Sequence, residues 1–390
     1  MTSSVDSSSL SLFTDISVLS PHYVPEKLPF RDGEISEIKN VLNPAFQNKK
    51  PRNLFIYGKT GTGKTCSVKH VMENIDSENV VMFYINCRIY NSRYRILQKA
   101  LKKFVPELEK SGFGLPFLYE KLIEISSSGK QLVIVLDEID MVKDLDELVY
   151  TLTRVNDEVK NGGVTIIGIS NKLSFKDVLD PRSKSSLYET EMVFPPYSSE
   201  QLQHILSQRV EEGFRKGTVD KSAVNLIAAI TAQENGDARY ALKLLFKAGE
   251  MAQQAGRDKL TDEDVEQARK KVEIDLAAET INTLPENHLL VLHSIATISK
   301  NGSRYSRLDG VEEGYLFSGE VYEEYESVCK KFKRRPRSLR WYKEYLNDLE
   351  MLGLIATKPS SKGVRGHTTL IKIGHSPDGI LKVVDQSLHR

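Results

Sequence analysis

The sequence predicts a multidomain α/β protein: a P-loop parallel-sheet domain, then a helical lid domain, then a C-terminal winged helix-turn-helix domain. Three observations lead there. Residues 54–68 read LFIYGKTGTGKTCSV, an apolar run, a glycine-rich turn and the start of a helix. About 70 residues later QLVIVLDEID (131–140) is an apolar run tipped with carboxylates. Residues 330–343 carry eight Lys or Arg and no acid, in a chain whose formal charge is only +1.

At 390 residues, and roughly 150 per domain, two or three domains are expected. The boundaries read as 1–20 (flexible tail), 21–196 (P-loop domain), 197–280 (lid) and 281–390 (winged helix). The composition, 40% apolar and 27% charged, is that of a globular protein, and no run approaches the roughly 18 apolar residues of a membrane span. The start, MTSSVDSSSLSL, lacks the basic-then-apolar pattern of an export signal. Cys66, Cys87 and Cys329 show no metal-type spacing, so reduced thiols and a cytoplasmic location without a membrane partner are expected.

The serine-rich residues 1–20 offer little to pack. From Pro21 the chain reads PHYVPEKLPFRDG, and Ile35, Ile38 and Leu42 then keep helical spacing. Tyr23, Val24, Pro25 and Arg31 could wrap over a nucleotide base or simply pack. The loop itself holds G-x-x-x-x-G-K-[ST] in full. Gly58, Gly61 and Gly63 clear side chains from a path where backbone N–H groups converge on phosphate oxygens, with Thr60, Thr62 and Cys66 between and after them. Lys64 supplies a point charge, Thr65 a hydroxyl ligand for Mg²⁺, and the helix start its positive dipole end.

Val80–Asn86 reads as a buried strand and 88–104 as a basic helical stretch. VPELEKSGFGLPF (105–117) is either a connector or a projecting element that offers apolar side chains to a partner. In the DEID run Asp137 suits a Mg²⁺ ion held through water, and Glu138 suits a base for the attacking water. Another strand, VTIIGISN, ends in Asn171, able to orient that water or to cap a turn. In the turn-rich DPRSKSSL (180–187), Arg182 and Lys184 are suited to a neighbouring subunit's phosphates or to solvent. Phe194–Pro196 breaks the pattern. From Tyr197 to about Val272 helical spacing dominates, and GDAR at 236–239 opens a helix from which Arg239 could point back to the nucleotide.

In the last domain the basic run leads into a helix expected from about Pro336 to Leu352. Leu339, Tyr342, Leu346, Leu349 and Leu352 fall on one side, with Arg337, Ser338, Arg340 and Lys343 largely on others. A helix in a DNA major groove needs that division. Two strands follow, joined by a basic tip at Lys362, Gly363, Arg365 and Gly366, and together these make a winged helix.

The order of glycine loop, DEID strand tip, Asn-ended strand, DPRSKSSL and GDAR is similar to that of the AAA+ ATPases. YVPEKLPFRD, NLFIYGKTGTGKT, VIVLDEID, LDPRSKSSL, VFPPYSSEQL and GDARYAL resemble the archaeal DNA replication initiators, relatives of the eukaryotic origin recognition complex and of the helicase-loading cell-division-cycle protein. The resemblance runs over about 20–390. It implies Lys64 and Thr65 at the phosphates, Asp137 and Glu138 as the second Walker motif, and Asn171 as first sensor. Arg182, or Lys184 beside it, becomes the arginine finger and Arg239 the second sensor, with Tyr197 and Arg209 completing the nucleotide contacts. It makes 105–117 an initiator-specific element touching DNA through Gly112, Phe113 and Gly114, although KSGFGLP is not its usual version, and Phe30 stands where relatives often carry His.

The function so implied is an ATP/ADP- and Mg²⁺-dependent initiator that binds double-stranded origin DNA and hydrolyses ATP slowly as a switch. It would assemble with related subunits and recruit an MCM-type replicative helicase. A nucleotide-stabilised transcriptional regulator and a clamp-loader-like remodelling ATPase are the alternatives.

Overall fold

The computed structural model describes residues 11–390 except 22, 110–111, 173–178, 188, 304–313, 360–368, 390 and the side chain of Ser186. The chain divides into two compact units, one up to Val265 and one from Glu266.

In the first unit, helix α1 (Asp32–Phe46) precedes strand β1 (Asn53–Tyr57), and α2 (Lys64–Glu73) leads to β2 (Val80–Asn86). Next come α3 (Arg93–Leu101), α4 (Leu115–Ser127), β3 (Gln131–Asp137), α5 (Leu145–Glu158), β4 (Gly163–Ser170), α6 (Pro181–Leu187) and β5 (Glu189–Val193). The five strands form one parallel sheet in the order β2-β3-β4-β1-β5. The inner strands β3, β4 and β1 are buried along their whole length, which is why they read as unbroken apolar runs instead of alternating ones. Alternate side chains still sort to opposite faces. Phe55, Tyr57, Leu132, Ile134, Leu136 and Ile166 pack with α3, α4 and α5, whereas Leu54, Ile56, Val133, Val135 and Ile167 pack with α1 and α2.

A helical layer completes this unit: α7 (Ser199–Gly213), α8 (Lys221–Glu234) and α9 (Ala238–Gln254). The α7 start is a capping box in which Ser198 and Gln201 each bond the other's backbone N–H. The division between the two compact units falls inside α10 (Asp262–Ile281).

Several expectations are corrected. The part of the tail from Ser11 to Ser20 is packed: Leu12, Val18 and Leu19 are buried, Phe13 lies on the Phe214 ring, and Ile16–Leu19 forms a 3-10 turn against α7. A few apolar side chains among serines suffice, because the lid helices offer them a groove. The basic stretch is helical only over α3. The DPRSKSSL segment is helical over α6, where Asp180 Oδ1 accepts from the Ser183 N–H at 2.7 Å. Phe113 is half-buried and stacked on Phe117, with ring centres 4.7 Å apart, so part of that apolar surface is spent within the chain.

In the second unit α11 (Glu286–Asn301) is buried on most of its faces. Around it lie β6 (Leu316–Phe317), α12 (Ser318–Lys331), α13 (Leu339–Met351), β7 (Ile355–Pro359), β8 (Thr369–Ile373) and α14 (Pro377–Leu388). The sheet has three antiparallel strands, β6-β8-β7, one more than the hairpin expected. The basic tip, Lys362, Gly363, Arg365 and Gly366, lies outside the described residues. Helix α13 starts three residues later than expected. It buries Tyr342, Tyr345, Leu346 and Leu349, while Leu339 and Leu352, one at each end of the helix, stand 55% and 47% exposed. Among the described residues no helix is long and apolar enough to cross a membrane.

Candidate functional site

The site lies at the C-terminal edge of the parallel sheet, where the strand order matters most. Strand β4 runs between β3 and β1, pairing Asp137 with Ile169 on one side and Tyr57 with Ser170 on the other. Asn171, one residue on, therefore stands between the carboxylates leaving β3 and the loop leaving β1. Neighbouring strands are about 4.8 Å apart, so the three tips are within side-chain reach.

Gly61 (φ 69°) and Gly63 (φ 90°) take left-handed conformations that turn the loop into α2. Lys64, the first residue of α2, is buried, and its Nζ donates to Gly58 O (2.8 Å), Lys59 O (2.7 Å) and Asn171 Oδ1 (2.8 Å). Burial pushes its pKa down to about 8, against the attraction of Asp137. The Thr65 hydroxyl donates to Asp137 Oδ2 at 2.9 Å, and the Tyr84 hydroxyl donates to the same oxygen at 2.6 Å. A hydroxyl and a buried carboxylate side by side are the hard oxygen donors that Mg²⁺ takes, so the residues present fit that ion.

Glu138 has a left-handed backbone (φ 56°, ψ 47°) and accepts from Arg88 Nε at 2.9 Å. From the helical layer, Asp237 caps α9 by accepting from the Arg239 and Tyr240 N–H groups, and the Ala238 N–H donates to Gly61 O at 3.2 Å. This holds Arg239, exposed at the rim, close to Lys64. The resulting cavity, of about 330 Å³, is lined by Thr60–Cys66, Asp137, Glu138, Asn171 and Arg239. Tyr23, Val24, Pro25, Ile205, Arg209 and Leu242 line it too. Charged and polar side chains thus share one cleft with the apolar Val24, Pro25, Ile205 and Leu242.

Arg31 does not line this cavity. It is buried, and its guanidinium donates to Thr62 O (3.0 Å), Pro195 O (2.7 Å) and Glu34 (2.7 Å) while lying 4.1 Å from the centre of the Tyr197 ring. Of the two readings left open for Arg31, a nucleotide contact or packing, the structure shows packing behind the loop, where a buried guanidinium is saturated by local acceptors. Tyr197 reaches the cavity wall as well as this stack. Arg209 is buried beneath the Tyr23 ring, 4.7 Å from its centre. Burial lowers its pKa, and its Nε has no hydrogen-bond partner among the described residues. Cys66 lines the wall with a thiol that burial pushes up to about 11, so it is unreactive near neutral pH. Arg182 and Lys184 are exposed on α6 and line no part of this cavity.

Sequence reasoning missed Arg88 and Tyr84, whose contacts with Glu138 and Asp137 arise only from the pairing of β2 with β3. In the second unit Arg337, Ser338, Arg340 and Lys343 are all exposed, at and just before the first turns of α13.

Residues 47–174 match the AAA domain model, 203–270 the Cdc6 AAA+ ATPase-type lid domain, and 279–383 the CDC6 C-terminal winged helix domain. The ORC1-type DNA replication protein of Pyrococcus abyssi is 40% identical over 385 residues, which span 95% of this chain and 90% of the relative. The chain belongs to the ORC1-type DNA replication protein family. A second member, ORC1-type DNA replication protein 1 of Archaeoglobus fulgidus, is 38% identical over 97% of this chain and 92% of its own. The solved Aeropyrum pernix ORC1 protein, in complex with DNA, superposes with a TM-score of 0.76 at 34% identity, covering 96% of this chain and 97% of that one. The three-part architecture of P-loop sheet, lid and winged helix is therefore that of the family.

Proposed function

We propose that this chain is an ATP-dependent replication initiator that binds duplex origin DNA through its winged-helix unit and uses slow ATP hydrolysis as a switch. One observation carries the reading: Lys64, Thr65, Asp137, Glu138, Asn171 and Arg239, scattered over the first unit's sequence, converge on one cleft. Thr65 and Asp137 would hold Mg²⁺, which when bound offsets charge on the β- and γ-phosphates. Lys64 exchanges its carbonyl partners for phosphate oxygens, Asn171 orients the attacking water, and Glu138 accepts its proton. Slow turnover is supported by two features. Glu138 is engaged by Arg88, and Arg182 lies outside its own chain's cleft, so its phosphate target would belong to a neighbouring subunit.

Duplex binding is supported by the exposed cations of 333–343 and by what the Aeropyrum pernix relative binds. Gly112 and Gly114, exposed beside the Phe113–Phe117 stack, would add a second contact. Assembly with related initiator subunits and recruitment of an MCM-type helicase are the output that this reading implies. The test is paired: filter retention of labelled ATP by the full chain, and footprinting on the host's genomic DNA with ATP and with ADP. Retention of ATP, its loss in Lys64→Ala, and a defined protected site are expected. Absence of nucleotide binding, or equal affinity for scrambled duplex, overturns the reading.

A further inference from the structure

Trp341 is the sole tryptophan of the chain, and it is 56% exposed on the first turn of α13. Leu339, on the same turn, is 55% exposed. Leaving two large apolar side chains in water is unfavourable by their unburied area, and both stand in the middle of the most cationic stretch of the sequence. Every residue from Lys333 to Trp341 is exposed. Among the described residues Arg334 pairs with Glu286, whereas Arg335, Arg337, Arg340 and Lys343 have no carboxylate partner. At 100° per residue, Leu339 and Trp341 flank Arg340 on either side.

The surface is also held in place. The Tyr322 hydroxyl donates to Arg337 O at 3.0 Å, and the Arg337 N–H donates to the Tyr325 hydroxyl at 3.1 Å, fixing the chain just ahead of the helix. The Trp341 ring is stacked near-parallel on Tyr345, which in turn lies against His288, so one face is braced and the rest is open. A partner for this patch must present apolar groups set among negative charges. Base edges in a duplex major groove offer one apolar group, the thymine C5-methyl, between two rows of phosphates.

We propose that Trp341 and Leu339 are specificity-determining residues that seat on thymine methyl groups on either side of Arg340, biasing the bound site towards A·T pairs there. The inference rests on the duplex-binding reading above. Duplexes are selected from a randomised pool by the full-length protein, and the best is titrated while the emission of Trp341 is followed. Each thymine is then replaced in turn by deoxyuridine, which removes only the methyl. The expected result is a change in emission with protection from acrylamide. At one or two positions, deoxyuridine should also weaken binding about fourfold, a penalty absent in Trp341→Ala and partly restored in Trp341→Phe. Circular dichroism and ATP retention of the variants report that they fold.

Tight duplex binding with unchanged emission, or the same deoxyuridine penalty in Trp341→Ala, overturns this inference and leaves duplex binding standing. An emission change that follows protein concentration without DNA assigns the pair to a contact between copies and also overturns it. Failure to select any duplex overturns both readings.

Discussion

Arg88 donates from Nε to the Glu138 carboxylate at 2.9 Å, across the ends of two neighbouring strands, and so engages the side chain best placed to act as base. Glu138 is mostly shielded, while Arg88 is 70% exposed. An ion pair of that exposure contributes about 0–1 kcal/mol. Arg88→Ala should therefore raise ATP turnover by up to about fivefold at saturating ATP, with affinity nearly unchanged. Glu138→Gln should bind ATP and turn over at a small fraction of the wild-type rate. Steady-state phosphate release checks both, and a lower rate in Arg88→Ala would show that the pair assists hydrolysis instead of restraining it.

The burial of Lys64 sets a pH dependence. With its pKa near 8, the free site loses the ammonium charge as pH rises through that value, and a bound triphosphate restores it by attraction. Binding is then coupled to proton uptake above pH 8, and ATP affinity should fall by up to about tenfold per pH unit from there. Calorimetric titration between pH 7 and 10 reads this, and Lys64→Ala should remove the dependence together with most of the affinity.

Gly61 is tied to the lid. A Cβ added there would fall 1.6 Å from Asp237 Oδ1 and 3.0 Å from Asp237 Cα, and the backbone at φ +69° disfavours any side chain. The left-handed conformation alone costs about 1–2 kcal/mol. Gly61→Ala should lower the melting temperature and abolish ATP retention. Adding Asp237→Gly should recover part of the stability but not the ordering of Arg239, which depends on the Asp237 cap.

Arg337, Arg340 and Lys343 predict a salt signature. Replacing any one with Ala should lower duplex affinity and reduce the slope of log affinity against log salt by about one, whereas ATP binding stays as in the wild type. Fluorescence anisotropy between 50 and 300 mM salt would measure it; an unchanged slope would move the duplex contact elsewhere.

Arg182 is exposed on α6 and lies off its own cleft. Arg182→Ala should leave ATP binding and dilute-protein turnover unchanged, yet abolish any rise in turnover with protein concentration or on DNA. A concentration-independent defect would place its action within one chain.

The nucleotide chemistry was legible because it is local. A strand, a glycine turn and a helix start occupy consecutive residues 53–73, and Asp137 sits at the end of an apolar run that could only be an inner strand. The winged helix was legible in outline for the same reason, through its periodicity and charge run. Legibility ended where a side chain's fate depended on a distant neighbour. Arg31, ahead of the loop, could have covered a base or simply packed, and only the fold shows it drawn inward by Thr62, Glu34, Pro195 and the Tyr197 ring. Leu339 matched the apolar side of α13 by periodicity, but the packing of the unit leaves the first turn of that helix in solvent.

By itself, then, the sequence determined that three kinds of structure would follow one another and which segments hold the glycine loop, the carboxylate-tipped strand and the basic run, since propensity, turn chemistry and strand or helix period are written in neighbouring residues. Only the tertiary structure decided that Asn171 meets Lys64, that Arg88 engages Glu138, that Asp237 locks Gly61, and that Trp341 remains in solvent. For the first two the physical reason is the strand order β2-β3-β4-β1-β5. Once each strand is buried between particular neighbours, the hydrogen-bond register dictates which tips stand side by side, and no spacing along the chain contains that information.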